Sequence, residues 1–309
     1  MLDSDAPPRD TPAGPPSARR LTAWALVPLA AVGWWVGGFL PSTLADLRVP
    51  GPIFPGGWPA VPLLASQLAV LVAGSFAGGL LAGLLGRVAR PAPRWVVLAG
   101  TAAGTALAMT AALVQARSVL ADQAGFDGDH RVLAGLCLLT VGAGTIGWML
   151  GSLAVLGRVG LGIALAALAT AVPGWVSALQ RALLPAGEFG YVSIDGRWGE
   201  WLGAAALAAS LVVIGVRPPG RLGWWPVALV GAWFVAPVTT ALVYLEVYLR
   251  PGAGLPGTLP EALAAARQVF GEAALPSNRP LAPWIAAVVV AVLLCAARPH
   301  LRRPLAPAT

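Results

Sequence analysis

The chain has 309 residues, of which 57% are hydrophobic and only 11% charged. That ratio excludes a water-soluble globule, which could not cover its own surface with so few charges. The net charge of +7 rests on 20 basic residues, all of them arginine, and no basic stripe interleaved with aromatics occurs, so nucleic acid is excluded as a partner.

In chain order, residues 1–20 come first, rich in Pro, Ser, Asp and Ala and closing on Arg19 and Arg20. They bury too little apolar surface to fold and are expected to be a disordered cytoplasmic tail. Eight apolar stretches follow, at residues 21–40, 60–85, 95–120, 132–156, 159–179, 201–216, 225–249 and 281–297. A helix rising ~1.5 Å per residue needs ~20 residues to cross a hydrocarbon core of ~30 Å. The expectation is therefore an all-α, polytopic integral membrane helical bundle of about eight transmembrane helices, its sixth and eighth spans short, with the lipid bilayer as its first partner. A cleaved signal peptide ending near Thr43-Leu44-Ala45 fits less well. The first stretch exceeds the usual apolar region of ~7 to 15 residues, and Asp3, Asp5 and Asp10 sit in the tail before it.

Arginines set the orientation. One alternate set of connections holds Arg87, Arg90, Arg94, Arg158, Arg217 and Arg221, with Arg298, Arg302 and Arg303 in the C-terminal tail at 298–309, and these segments contain no acid. The other set carries Asp46, Asp122, Asp127, Asp129, Glu188, Asp195, Glu200, Glu261 and Glu272, interspersed with comparable numbers of arginine. Positive charge stays cytoplasmic, so both termini are expected inside a bacterial cytoplasmic (inner) membrane. Trp34, Trp35, Trp58, Trp95, Trp198, Trp201, Trp224, Trp225 and Trp284 lie near stretch ends, where amphipathic rings anchor at the interface.

A shift of 130 residues lays Arg87 on Arg217, Trp95 on Trp225 and Thr110 on Thr240. This suggests a 4+4 internal repeat, with a first four-helix half at 21–158 and a second at 159–297. An even number of spans per repeat returns the chain in the same orientation, so the halves would be parallel, related about the membrane normal.

Gly33/Gly37, Gly74/Gly78, Gly79/Gly83, Gly100/Gly104 and Gly147/Gly151 place small residues one turn apart for close helix contact, with sister helices or across a homodimer. Pro28, Pro173 and Pro237 interrupt spans one, five and seven. Thr239 and Thr240 follow Pro237 and could satisfy the carbonyls it frees; the alternative is backbone opened to a cavity.

Two charges fall inside stretch ends, Arg117 and Glu246. Thr110 and Arg117, and likewise Thr239 and Glu246, share a helix face, which suggests a pair clasping the halves at the outer rim or two interface residues that never meet. No Asp, Glu, His or Lys occupies mid-span, against a proton-coupled pump or a buried haem. Asp122, Asp127, Asp129 and His130 read as a solvated acidic loop rather than a metal site. Gly74-Ser75-Phe76-Ala77-Gly78 misplaces the serine of a nucleophile elbow. Cys137 and Cys295 lie roughly 15 Å or more apart in depth, too far for a disulfide. No catalytic residue, cofactor or metal site is expected.

Of the outer connections, 41–59 is dense in Pro and Gly and reads as a stiff irregular turn. Its one acid, Asp46, is the candidate for a membrane enzyme acting on lipid-linked sugars, such as a glycosyltransferase. Between Leu259 and Gly271 the pattern gives a short amphipathic helix with Leu263, Ala266, Val269 and Phe270 on its apolar side. The leading functional expectation is a non-enzymatic, permease-like or accessory membrane component handling a neutral or amphipathic substrate between the halves. The alternatives are a scaffold subunit of a larger complex and the glycosyltransferase-type enzyme.

Overall fold

A computed structural model describes residues 23–47, 58–89, 92–121, 130–183, 197–248 and 259–301. Among them the protein is helical and has no strand. After a 3-10 turn, α1 spans Leu26–Gly38, and α2, Leu40–Asp46, leaves it at 52°. There follow α3 (Leu68–Leu85), α4 (Arg94–Ala121), α5 (His130–Ser152), α6 (Arg158–Leu183), α7 (Arg197–Ile214), α8 (Trp224–Tyr248), α9 (Leu259–Ala274) and α10 (Leu281–Leu301). Five segments are long and apolar enough to cross a membrane: Ala65–Ala89, Arg94–Leu120, Val132–Val155, Arg158–Leu183 and Pro219–Val247. The bent α1–α2 pair makes a sixth if counted as one span, and Trp198–Ile214 and Leu281–Ala297 are shorter apolar helices.

One expectation fails at the first outer connection. Residues 41–46 are helix, not irregular turn, because Pro41 sits in the first turn of α2, where its missing N–H and fixed φ cost nothing. The remainder of the Pro- and Gly-rich segment, 48–57, lies outside the described residues, as do Asp122, Asp127 and Asp129. At the end of α7, Gly215 takes φ +76°, a left-handed stop that glycine adopts without strain, while its N–H bonds the Leu211 carbonyl at 2.9 Å.

Glycines let α3 pack closely between α1 and α5. Gly74 and Gly78 face α1, where an added Cβ would meet the backbone or ring atoms of Gly38, Trp34 and Phe39. Gly79 and Gly83 face α5, where it would meet backbone at Gly144, Trp148, Gly151 and Ser152. These motifs thus seat sister helices of the same chain. Trp34, expected at an interface, is instead fully buried against Phe39, ring centroids 5.2 Å apart, in a cluster with Leu63, Leu71 and Met109. Trp225 is likewise buried, in the second-half cluster with Leu211, Ala228 and Ala287.

The two ends of the bundle differ chemically. Leu26, Ala89, Val97 and Val155 form a cluster at the arginine-rich end, where Arg87 Nη1 donates to the Ala154 carbonyl at 3.0 Å. A cation there complements the carbonyls that close α5. Asp46, Glu200 and Glu246 belong to the opposite end, where Arg181 faces Asp46. Cys137 packs on the Trp34 cluster and Cys295 on the Leu211 cluster, and no disulfide joins the two.

Candidate functional site

Proline removes the N–H that would bond the carbonyl four residues earlier. In this fold the orphaned carbonyls map the unusual chemistry. The Gly37 carbonyl, in the last turn of α1 and with Pro41 unable to serve it, accepts from the Trp175 Nε1–H of α6 at 3.2 Å. Pro237 frees the carbonyl of Trp233, and Arg279 Nη1 donates to it at 2.7 Å. Pro173 frees the carbonyl of Ala169, and Ala169 and Pro173 both line a cavity. The threonines after Pro237 act elsewhere: Thr239 Oγ1 donates to Val235 at 3.1 Å and Thr240 Oγ1 to Ala236 at 3.0 Å. A hydroxyl two or three places beyond the proline reaches back only one turn, to its own i−4 carbonyl, so it cannot serve Trp233.

Arg279, in the corner between α9 and α10, makes three contacts with its surroundings. Besides Trp233, its Nε–H donates to the Ala273 carbonyl at 3.1 Å, and its guanidinium carbon lies 4.6 Å from the Trp233 ring centroid. Trp233 in turn donates its Nε1–H to the Ala274 carbonyl at 2.9 Å and meets Trp284 edge-on at 5.0 Å. Burial holds the guanidinium below its ordinary pKa, and arginine stays cationic regardless. The helix α9 lies on α8 through Ala262 and Ala266, with Phe270 stacked on Phe234 at 6.0 Å. Leu263, expected on that apolar side, points outward.

Beneath the corner is a cavity of about 460 Å³. Its walls are Ala169, Thr170 and Pro173 from α6, Gly203, Ala204 and Leu207 from α7, and Ala232, Ala236 and Thr240 from α8. Small side chains at the meeting of three helices leave this space open. Glu200, Asn278, Arg279, Pro283 and Trp284 complete it at the acid-bearing end. A separate apolar groove of about 430 Å³ runs between α8 and α10 along Leu229, Val230, Val288 and Val289, and shares Trp284 with the cavity.

Of the residues singled out by sequence, Thr240 lines this cavity, and Pro237 is buried on α8 behind it. Arg117 and Thr110 are exposed on α4 and form no ion pair or clasp with α8 among the described residues. Glu246 instead reaches the start of α3, its Oε2 accepting from the Ala69 N–H at 3.3 Å. A carboxylate suits the unsatisfied donors and positive dipole of a helix N-terminus. Asp46, half-buried at the end of α2, has Arg181 of α6 as its opposing charge and is not a wall of the cavity.

Three side chains that tie distant backbone together carry no signal in the sequence pattern. Trp175 and Arg279 were invisible because their acceptors are distant carbonyls. Gln115 of α4 accepts from the Ala60 N–H at 2.6 Å and donates to the Trp58 carbonyl at 2.9 Å, pinning the segment before α3. Being neutral, it leaves no mark in the charge pattern of the sequence. No group of three or more His, Cys, Asp or Glu suited to a metal occurs among the described residues. No family model matches the chain, and no curated protein or solved structure is similar to it.

Proposed function

We propose that the protein is a non-enzymatic, permease-like or accessory component of the bacterial cytoplasmic membrane that takes an amphipathic ligand into the cavity of its second half. The observation that carries this reading is the cavity itself, of a size typical for small-molecule sites, apolar in its walls and polar at one rim. It lies within the second half and not between the halves, which moves the site from where the sequence suggested. Asp46 stands apart from it, so the enzyme reading draws no support from a shared groove. The filled interior of the first half, with Trp34, Phe39, Leu63 and Leu71 buried, favours a scaffolding role for that part of the chain.

The eight-span, parallel-repeat architecture belongs to the same proposal. Support comes from contact order: α1 packs on α3 and α4, and α3 on α5; α6 packs on α7 and α8, and α7 on α10. The starts of α1 and α6, the starts of α4 and α8, and the ends of α3 and α7 are each about 130 residues apart. Pro41 and Pro173 then fall at matching places, one at a break and one inside a helix. Trp95 and Trp225 do not share an environment, the first exposed and the second buried. The arginine-rich end is assigned to the cytoplasm. Reporter fusions after Arg94 and Arg221 should read cytoplasmic and those at 251–258 external; reversal of either group overturns the topology.

The ligand reading is tested by organic extraction of the purified protein followed by mass spectrometry. An amphiphile should appear in near-equimolar amount and be lost in Thr240→Phe, whose ring enters the cavity. Absence of any such molecule in both proteins overturns the proposal.

A further inference from the structure

We propose that the rim of this cavity selects a zwitterionic phospholipid, with Arg279 taking the phosphate and Glu200 the primary ammonium of a phosphoethanolamine-type head, while an acyl chain lies in the adjoining groove between α8 and α10. The inference rests on the ligand reading above and adds the class of head group. Three observations carry it. Arg279 and Glu200 line the same cavity from different elements and form no ion pair with each other among the described residues, so the rim presents both signs of charge to an occupant. Arg279 spends Nε and Nη1 on the carbonyls of Ala273 and Trp233, which fixes the guanidinium plane. Those bonds leave its Nη2 edge for a ligand oxygen, and a planar guanidinium is suited to phosphate.

The groove supplies the apolar part. It shares Trp284 with the cavity and continues from there along Ile285, Val288 and Val289 of α10 and Leu229 and Val230 of α8, away from the acid-bearing end. A molecule with its polar head at the rim and a hydrocarbon chain directed into the bilayer interior matches that layout. A purely anionic head would meet Glu200 as a like charge, and a quaternary ammonium offers that carboxylate no N–H.

The test uses the full chain in nanodiscs holding equal amounts of phosphatidylethanolamine and phosphatidylglycerol, with retained lipid identified by native mass spectrometry. The wild-type protein should keep one lipid per chain and favour phosphatidylethanolamine about tenfold, as a charge-assisted hydrogen bond implies. Glu200→Gln should retain a phospholipid but reduce the preference to about twofold or less. Arg279→Gln should lose retained phospholipid of both kinds, and Thr240→Phe should release the lipid without unfolding, because its site is exposed. An undiminished preference in Glu200→Gln overturns the head-group assignment and leaves the cavity reading standing. Unchanged retention in Thr240→Phe means annular lipid only, and overturns both.

Discussion

Substituting Arg279 by glutamine strips the Trp233 carbonyl of the donor that replaces the missing amide of Pro237. The loss comprises two hydrogen bonds from a charged group, at 2.7 and 3.1 Å, and the stacking of the guanidinium on the Trp233 ring at 4.6 Å. A hydrogen bond from an ionised donor contributes about 1.5–3 kcal/mol, and a cation–π contact about 0.5–1 kcal/mol where solvent has access. Because the side chain is only partly buried and glutamine can keep one weaker bond, the net cost should be about 2–4 kcal/mol. The diagnostic measurement is a double-mutant cycle with Pro237→Ala. Alanine restores the amide, which bonds the Trp233 carbonyl within α8, so Arg279→Gln should cost about 1–2 kcal/mol less in that background. Reversible unfolding in mixed micelles, followed by tryptophan fluorescence, reads all four proteins. Equal costs of Arg279→Gln with and without Pro237 would refute the claim that the arginine answers for the proline.

Trp175→Phe keeps an aromatic side chain, smaller by one ring, but removes the donor to Gly37, and should lower stability by about 1 kcal/mol in the same assay. Glu246→Ala should cost about 0.5–2 kcal/mol through loss of its bond to the Ala69 amide, and its effect should add to that of Arg117→Ala, since the arginine is exposed elsewhere; a coupling above about 0.5 kcal/mol would revive the clasp. Gly79→Ala sets a methyl group against the Gly144 carbonyl and should cost about 1–3 kcal/mol, whereas Gly142→Ala, which has open space around it, should be near neutral; thermal melts in detergent compare them.

Long apolar runs were the most legible part of the chain, because lipid demands internal satisfaction of every backbone group and helix is the local answer. Prolines were legible as interruptions but not in their consequences. The donor for the Gly37 carbonyl comes from Trp175 and that for the carbonyl freed by Pro237 from Arg279, both set by tertiary placement and not by neighbouring hydroxyls. Trp34 illustrates a second limit: aromatics near the ends of apolar runs favour the interface on average, yet a ring facing glycine-lined helices is drawn inside. Charge was an uneven guide. Glu246 bonds the Ala69 amide and not Arg117, while Gln115 holds the segment before α3 without any charge at all.

With glycine on both flanks, α3 meets α1 and α5 backbone to backbone, with no layer of flexible side chains to absorb a shear. Sliding α3 by even a fraction of a turn would drive Cα and carbonyl atoms into one another, so the three helices move as a single block. Among the remaining helices the same close approach joins α6 and α7, where Gly199 and Gly203 lie against the backbone of Pro173 and Ala169, while Gly231 of the proline-interrupted α8 meets nothing within 4 Å. Freedom to shift is therefore uneven, least for α1, α3 and α5 and greatest for α8, where the carbonyl freed by Pro237 is met by a side chain and not by a neighbouring backbone.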